Sequence, residues 1–377
     1  MKIAYCIEGL FNSGGMERIV TVKANYLAQH GYDVTLITSH QEGKPFAFLL
    51  DEKIHHKDLN VDFSIKRSLW NNATVSDYRK KLNDYLLTKD FDIVISTGGM
   101  DLYELYKIKD GSIKLAEVHF SYDMNYLMAG EHASQLKTRF VAFLKTKRMV
   151  MAARHYKNIV VLTKRDLNKW RRHCTNAIQI YNPVTIEKSN ISKGINHRAI
   201  AVGRLAYQKG FDYLVKAWRL VHAQCPEWNL SIFGEGPDRD FLQNLIHRYG
   251  LSACVSLKGN SRKIQEEYAK SSLFIMSSRF EGFPLSMIEA ESSGLPVVSY
   301  DCPCGPSELI DSGRNGLLVS SVGDVDGLAN AIIDVLKDER KRKAMADESL
   351  RKVMALNVDE IMGKWMLLFS EVLKQKA

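Results

Sequence analysis

The sequence predicts an α/β protein of two domains, each with a parallel sheet covered by helices. Short apolar segments rich in β-branched residues alternate with helical patterns along the whole chain, as parallel sheets require. A length of 377 residues exceeds that of a typical domain built around one hydrophobic core. A polar stretch without periodicity, residues 181–196, interrupts the alternation and is interpreted as the interdomain linker.

The first domain is predicted to span residues 1–183 and the second residues 184–357. Five strands are predicted before the linker, at Lys2–Ile7, Asp33–Thr38, Asp92–Ser96, Lys114–His119 and Asn158–Leu162. Five more are predicted after it, at Arg198–Gly203, Asn229–Gly234, Cys254–Lys258, Ser272–Ser277 and Pro296–Ser299. The last segment, within 358–377, carries large apolar residues at helical spacing, and its periodicity alone does not say on which domain it packs.

Composition narrows the functional classes. Hydrophobic residues make up 45% of the chain and charged residues 25%, as in soluble globular enzymes. No run of about 18 apolar residues is present, so no membrane-spanning helix is predicted. An acidic residue at position 8 argues against a signal peptide, and six scattered cysteines indicate free thiols in a reducing cytoplasm.

The net charge of +9 is concentrated in one basic segment. Residues 137–172 contain twelve Lys or Arg and one acidic residue, and apolar residues alternate with the basic ones up to residue 156. This pattern is typical of a basic amphipathic helix that contacts anionic lipid. A helix with an apolar core face and a solvated charged face is the alternative, and a nucleic-acid groove is disfavoured because no nucleic-acid motif accompanies it. The expected membrane-contact residues are Lys145, Lys147, Arg148 and Arg154.

The most informative segment contains two glutamates, Glu281 and Glu289, separated by seven residues. A Gly- and Pro-containing loop leads into a helix predicted from Pro284 to about Ser293, with proline in the first turn. A loop that enters a helix N-terminus presents free backbone N–H groups and a positive dipole end, which suits phosphate. The alternative interpretation, for two glutamates at this spacing without such flanking residues, is a pair of solvated side chains on one helix face.

This segment resembles the E-x7-E element of family 4 retaining glycosyltransferases, which have the GT-B fold. The resemblance implies two Rossmann-like domains whose sheets face across a cleft, with a C-terminal helix that crosses back to the first domain. It also implies that Glu281 contacts the donor sugar and that Glu289 holds the ribose hydroxyls. Backbone amides around Phe283, Pro284 and Leu285 are expected to face the diphosphate.

A second motif, Gly203-Arg-Leu-Ala-Tyr-Gln-Lys-Gly210, is similar to the G-R-L-x-x-x-K-G element of the same family. The resemblance makes Arg204 and Lys209 a clamp for the departing diphosphate. Cations fixed on that leaving group lower the barrier without a metal ion. Two surface cations on a capping turn are the alternative interpretation.

Four further residues, in three sequence elements, carry the resemblance into both domains. Gly14 and Gly15, followed by Met-Glu-Arg, are similar to the family's G-G-x-E-R element, which places Gly15 against the donor diphosphate. His119 ends a predicted strand where family members carry a histidine that contacts the donor sugar, although such a histidine is often structural. Gly259 matches a loop that lies by the nucleobase.

No metal ion and no cofactor are expected. Three D-x-D motifs, at residues 90–92, 238–240 and 324–326, begin strands or helices and do not follow a strand end, as a metal–diphosphate site requires. Chance and helix capping explain them.

The segment Gly305-Pro-Ser-Glu308 resembles the branch of the family that transfers GalNAc, GlcNAc or similar sugars to polyprenol-diphosphate glycans and capsular repeats. The resemblance therefore implies transfer of an N-acetylhexosamine or hexose from a UDP-sugar to a lipid-linked or polysaccharide acceptor. The enzyme is expected to be cytoplasmic, peripheral on the inner face of the cell membrane, and independent of nucleic acid. The alternatives are a sugar-nucleotide 2-epimerase of the same fold and a non-catalytic scaffold in glycan assembly.

Overall fold

The chain folds as two α/β units, in a computed structural model that describes residues 1–63, 72–130, 135–185 and 191–376. Unit 1 contains Met1–Thr185 and Val358–Ala377, and unit 2 contains Ile186–Asn357. The predicted interdomain linker includes residues 186–190, which lie outside the described residues.

Unit 1 is built on a parallel sheet of seven strands in the order β3-β2-β1-β4-β5-β6-β7. The strands are β1 (Lys2–Ile7), β2 (Asp33–Thr38), β3 (His55–Asp58), β4 (Ile93–Ser96), β5 (Ile113–Val118), β6 (Asn158–Val161) and β7 (Ala177–Gln179). The helices are α1 (Gly15–Gln29), α2 (Asn72–Leu86), α3 (Asp101–Glu104), α4 (Met124–Leu127), α5 (Leu136–Ala153), α6 (Lys164–Arg171) and the C-terminal α14 (Val358–Lys374). Helix α1 ends before Gly31, whose φ of +83° suits a glycine beyond a helix C-terminus.

Helix α14 returns to unit 1, as the predicted fold class requires. Its apolar residues recur at helical spacing, and the following are buried: Ile361, Met362, Trp365, Leu368, Phe369 and Val372. It packs on α1, so the last segment of the chain completes the first unit.

Unit 2 repeats the same plan with six parallel strands in the order β10-β9-β8-β11-β12-β13. The strands are β8 (Arg198–Val202), β9 (Asn229–Phe233), β10 (Val255–Gly259), β11 (Leu273–Met276), β12 (Val297–Tyr300) and β13 (Gly316–Val319). The helices are α7 (Phe211–Gln224), α8 (Arg239–Arg248), α9 (Ile264–Ala269), α10 (Leu285–Ser292), α11 (Pro306–Leu309), α12 (Val325–Lys337) and α13 (Glu339–Val353). In both units the strand order is that of a doubly wound nucleotide-binding sheet. Successive strands are added first on one side of the first strand of the unit and then on its other side, so the order of addition reverses once.

Three strands escape the sequence prediction, namely β3, β7 and β13. Strand β3 reads His-His-Lys-Asp and lies at the sheet edge, so it has no apolar pattern to detect. Strand β7 is the other edge of the unit 1 sheet and contains only three residues. Strand β13 is one edge of the unit 2 sheet and contains four residues.

No described helix is both long and apolar enough to cross a membrane. The six cysteines, all in the described part of the chain, are buried and form no disulfide.

Candidate active site

In unit 2, the strand order brings two loops together where it reverses, between β8 and β11. Ligands of open α/β sheets bind at this point, outside the carboxyl ends of the strands. The loops are residues 203–210 after β8 and residues 277–284 after β11. The Ser277 hydroxyl donates to the Lys209 carbonyl oxygen at 3.0 Å. Gly210 has φ +59°, and a Cβ there would lie 2.1 Å from the Ser277 carbonyl oxygen, so the two loops meet closely only because residue 210 is glycine.

The central contact of this site joins Lys209 to Glu281. The Lys209 Nζ donates to Glu281 Oε1 at 2.7 Å, and the Ser278 hydroxyl donates to the same oxygen at 2.5 Å. The Glu281 backbone N–H donates to the Pro303 carbonyl oxygen at 3.0 Å, which fixes the loop. The Lys209 stem lies over Gly203, where a Cβ would be 2.9 Å from Lys209 Cε. The sequence therefore identifies both partners of a charge-assisted hydrogen bond, but not that they bind each other.

Arg204 lies on the same loop as Lys209, with an exposed side chain that is not part of the Lys209–Glu281 hydrogen-bond set. Its neighbour Leu205 anchors the loop, because the Leu205 N–H donates to the Glu235 carbonyl oxygen at 3.0 Å. A Cβ at Gly236 would lie 2.2 Å from the Leu205 carbonyl oxygen, so this neighbouring turn requires glycine for packing. Arg204 therefore combines a long, exposed, positively charged side chain with a backbone that is held in place.

The start of α10 differs in detail from the prediction. Pro284 is the N-cap residue, with φ −80° and ψ 83°, and the helix proper begins at Leu285. These angles form an inverse γ-turn, in which the Leu285 N–H donates to the Phe283 carbonyl oxygen at 3.0 Å. The Leu285 amide is therefore satisfied within the chain in this state. Gly305, with φ +120°, lies so close to Pro284 that a Cβ would be 2.5 Å from the proline Cδ.

Glu289 lies one turn inside α10 and is only 6% exposed. The Tyr268 hydroxyl lies 3.3 Å from Glu289 Oε2 and 3.3 Å from the Ser286 carbonyl oxygen. A buried carboxylate with a hydroxyl beside it is suited to accept further hydrogen bonds from ligand hydroxyl groups. The sequence alone does not point to Tyr268, since no motif joins it to residue 289.

Gly259 ends β10 with φ +73°, and a Cβ there would lie 2.8 Å from Glu235 Oε1. The Glu235 carboxylate is itself held by Arg239 at 2.8 Å. The backbone conformation and this close contact both explain the glycine at 259.

In unit 1, the corresponding reversal lies between β1 and β4. Gly14 is the N-cap of α1 in an extended conformation, and Gly15 is the first helical residue. A Cβ at Gly14 would lie 2.3 Å from Glu17 Oε2, so the glycine leaves room for a side chain that folds over its own helix start. Residue 14 thus has a packing reason to be glycine besides the predicted donor contact.

The loop after β4 contains a buried polar cluster that no sequence motif predicts. The Asp101 side chain is buried and accepts a hydrogen bond from the Ser96 hydroxyl at 2.5 Å. Burial raises the pKa of Asp101 to about 6, against the hydrogen bonds that lower it. Gly98 has φ +91°, and its N–H donates to the Ser96 hydroxyl oxygen at 3.2 Å. A Gly-Gly pair after a strand is a weak pattern and does not by itself predict a functional loop.

His119 directly follows β5, and its side chain is 7% exposed. Its Nε2 lies 3.4 Å from Glu117 Oε1. Burial lowers the pKa of His119, Glu117 opposes this shift, and Lys23 adds to it. A neutral imidazole with one donor and one acceptor nitrogen is therefore the form expected at neutral pH.

Helix α5 carries an exposed surface that combines basic and apolar side chains. All four predicted membrane-contact residues are exposed, namely Lys145, Lys147, Arg148 and Arg154. Large apolar residues are exposed on the same helix, including Phe140 at 61%, Phe143 at 50%, Leu144 at 47% and Met151 at 56%. Only part of the helix faces the core of unit 1, through residues such as Ala142, Met149 and Val150.

Two of the three D-x-D motifs have side-chain hydrogen bonds that give them a structural role, whereas Asp238 is the N-cap residue of α8 without a side-chain capping bond. Asp324 caps α12 by accepting from the Gly327 N–H at 2.8 Å, and Asp92 accepts from the Lys2 N–H at 2.8 Å. Across the part of the chain that the structure describes, no group of three or more His, Cys, Asp or Glu side chains is arranged to hold a metal ion.

Comparison with known protein families gives two matches that follow one another along the chain. The family described as Glycosyltransferase Family 4 matches residues 13–188. The family described as Glycosyl transferases group 1 matches residues 185–352. The chain belongs to the glycosyltransferases. It is an α/β protein of the GT-B type, so the predicted fold class is confirmed.

Two relatives match along nearly their whole length. The chain is 28% identical to an uncharacterized glycosyltransferase of Haemophilus influenzae over 370 residues, which cover 97% of this chain and 98% of the relative. It is also 28% identical to the amylovoran biosynthesis glycosyltransferase AmsD of Erwinia amylovora over 379 residues, with the same coverage of 97% and 98%.

Among solved structures, a variant of S. aureus TarM in complex with Fondaparinux, alpha-GlcNAc-glycerol and UDP has a similar fold. The TM-score is 0.81 at 16% identity, and the match covers 98% of this chain and 99% of TarM. At that identity the likeness concerns the fold alone.

Proposed function

We propose that the chain is a retaining, metal-independent glycosyltransferase. It transfers a sugar from a UDP-sugar to a lipid-linked or polysaccharide acceptor at the cytoplasmic face of a membrane. The observation that carries the proposal is the partly buried Lys209–Glu281 hydrogen bond at the strand reversal of unit 2. A lysine held there by a carboxylate retains two ammonium N–H groups for an anionic ligand.

The chemistry begins with the bond between the sugar C1 and the diphosphate oxygen. As this bond breaks, negative charge accumulates on UDP, and Lys209 and Arg204 stabilise it from fixed backbone positions. Glu281 orients Lys209 and accepts a hydrogen bond from a sugar hydroxyl. Glu289, deep in α10, accepts from the ribose hydroxyls. Remote contacts of this kind hold the reacting atoms in place.

The acceptor hydroxyl attacks C1 from the face that UDP leaves. Its oxygen forms the new bond to C1, its proton passes to the departing phosphate oxygen, and the bonding electrons of the old bond leave with UDP. The sugar therefore keeps its anomeric configuration. This route needs no protein nucleophile.

For the donor we propose an N-acetylhexosamine or hexose carried by UDP. TarM, whose fold this chain shares, was crystallised with UDP and alpha-GlcNAc-glycerol. Support within the chain comes from the Gly305-Pro-Ser-Glu308 segment, because it resembles the branch of the family that transfers such sugars. Its glycine packs directly against Pro284, the N-cap residue of α10.

For the acceptor we propose a glycan or lipid-linked glycan, met at an anionic membrane surface. The AmsD relative takes part in amylovoran biosynthesis, as its name states. Exposed phenyl rings beside lysine and arginine on α5 combine apolar insertion with attraction to anionic headgroups.

A thermal-shift screen of nucleotide sugars tests the donor assignment, followed by a transfer assay in EDTA. A ligand at a hundredfold excess over its Kd stabilises the folded protein by about 2.7 kcal/mol, so the best stabiliser identifies the donor. We expect UDP-sugars to stabilise the protein, UDP release to require acceptor, and the product to retain the anomeric configuration. Conversion of UDP-GlcNAc without acceptor would identify a 2-epimerase. Complete absence of UDP release with every glycan acceptor would favour a scaffold.

A further inference from the structure

Unit 1 contains a buried ion pair directly behind His119. Lys23 on α1 and Glu117 on β5 have side chains that are 0% and 1% exposed, and Nζ lies 2.6 Å from Glu117 Oε2. The ammonium also lies 3.6 Å from the ring centroid of Trp365, on the C-terminal helix α14. Burial lowers the pKa of Lys23 to about 8, and Glu117 opposes this shift. Removing two charges from water in this way is costly, so the pair calls for an explanation.

The second oxygen of Glu117 faces the histidine. Residues 117 and 119 lie two positions apart along the direction of β5, which places both side chains on one face. Glu117 Oε1 and His119 Nε2 are 3.4 Å apart, and neither atom has a hydrogen-bond partner among the described residues. A buried carboxylate oxygen without a donor is expensive. The 3.4 Å separation is longer than an ordinary N–H···O hydrogen bond, so a small rotation of the imidazole ring is needed to bring an Nε2–H onto this oxygen.

We propose that Glu117 is a positioning residue that fixes the tautomer of His119. With the proton on Nε2, and the ring turned slightly to donate it to Glu117 Oε1, Nδ1 becomes the ring's hydrogen-bond acceptor for a substrate hydroxyl. Lys23 holds Glu117 in place through the other oxygen, and Trp365 covers the lysine. The consequence for the reaction rests on the proposed function, in which His119 contacts the donor sugar.

One other group near Glu117 needs a control. The Tyr5 hydroxyl is buried and without a hydrogen-bond partner among the described residues, and burial together with Glu117 raises its pKa. If Tyr5 supplied the donor to Glu117, the histidine would be left free. Tyr5→Phe therefore serves as the matched control, and we expect it to leave the tautomer of His119 unchanged.

The direct test is NMR of the full chain with ¹⁵N-labelled histidine, using His119→Asn to assign the resonances. The wild type is expected to carry the proton on Nε2, with a pyridine-like Nδ1. Lys23→Met/Glu117→Leu removes both charges together, since apolar replacement of a buried pair is often tolerated, and should abolish this preference. Lys23→Met/Glu117→Gln keeps a carbonyl acceptor and should retain it. A proton on Nδ1 in the wild type, or an unchanged tautomer in the leucine double variant, would overturn the proposal.

Sugar-transfer kinetics supply the second readout. We expect Lys23→Met/Glu117→Leu to lower kcat about 10- to 100-fold, in the range of supporting residues that orient a histidine, and the glutamine double variant to recover most of it. Adding His119→Ala to the leucine double variant should cost nothing further, because both changes disable one unit. Additive losses would contradict the proposal. A wild type that transfers no sugar would remove the proposed function, while the NMR result would still decide the tautomer.

Discussion

Replacing Lys209 by methionine removes one charge from the candidate active site and keeps most of the side-chain volume. The lysine side chain is 17% exposed and the Glu281 side chain 5%, and their atoms lie 2.7 Å apart. After the substitution, Ser278 remains as a hydrogen-bond donor to the carboxylate, but the ion-pair partner Lys209 is lost. The variant therefore tests stability and catalysis together.

The stability effect follows from the unpaired charge. Breaking a buried ion pair from one side costs about 3–5 kcal/mol, and the partial exposure of Lys209 places the expected loss near 3 kcal/mol. Lys209→Met/Glu281→Gln leaves no unpaired carboxylate and should regain most of that loss. Urea unfolding measures both variants.

The catalytic effect should not be regained in the double variant. Loss of one fixed donor to a developing anion typically lowers turnover about 10²- to 10³-fold, which equals roughly 3–4 kcal/mol. The more severe changes Lys209→Ala and Glu281→Ala should each abolish turnover while the fold remains intact. UDP release in the presence of acceptor is the assay.

Lys216→Met is the matched control. Its ammonium lies 3.9 Å from Asp212 and is 40% exposed, so we expect less than about 0.5 kcal/mol of change and near-normal turnover. Near-normal turnover of Lys209→Met, or an active Lys209→Met/Glu281→Gln variant, would refute the role assigned to the pair.

Three further predictions concern other parts of the chain. Lys145→Glu/Arg148→Glu should weaken binding to vesicles of anionic phospholipid at least 30-fold, because each basic residue near the surface contributes about 1 kcal/mol. The control Lys80→Glu, at another exposed lysine, should have little effect. Equal binding of both variants would argue against membrane contact through α5. Glu289→Gln should weaken UDP binding and remove the preference for UDP over its 2′,3′-dideoxy analogue in calorimetry, and a retained preference would exclude the ribose contact. Because the folded pKa of Asp101, about 6, lies above the unfolded value of about 4, its carboxylate should destabilise the fold as pH rises from 4 to 7, by up to about 3 kcal/mol. Urea unfolding at both pH values should show this loss in the wild type and not in Asp101→Asn, and equal pH dependence in both would contradict the burial argument.

Local patterns in the sequence predicted most of the fold. Strands buried on both faces are continuous apolar runs, so ten of them could be found with boundaries close to those observed. The polar edge strand β3 could not, because its pairing with β2 is a tertiary event without a local signal.

The candidate site was also predictable from the sequence only in part. Lys209 and Glu281 each lie in a recognisable motif, so the sequence identifies them although 72 positions separate them. Tyr268 and Glu117 lie in no motif, and their importance arises only when folding brings them to Glu289 and Lys23. Contacts between distant side chains are set by sheet order and packing, which periodicity does not encode.

The exposed surface of α5 could be predicted from the sequence only in part. Charge and periodicity predicted a basic amphipathic helix, and α5 confirms the helix. The sequence could not say which apolar residues face the core. The structure shows Phe140 and Phe143 exposed, while Met149 and Val150 are buried.

The most direct measurement is a crystal structure of the full chain with UDP, grown with magnesium present. We expect diphosphate density beside the Lys209 ammonium and the N-terminal end of α10, with Arg204 drawn in and no metal bridging the phosphates. UDP bound away from the loops after β8 and β11, or held there through a magnesium ion, would contradict it.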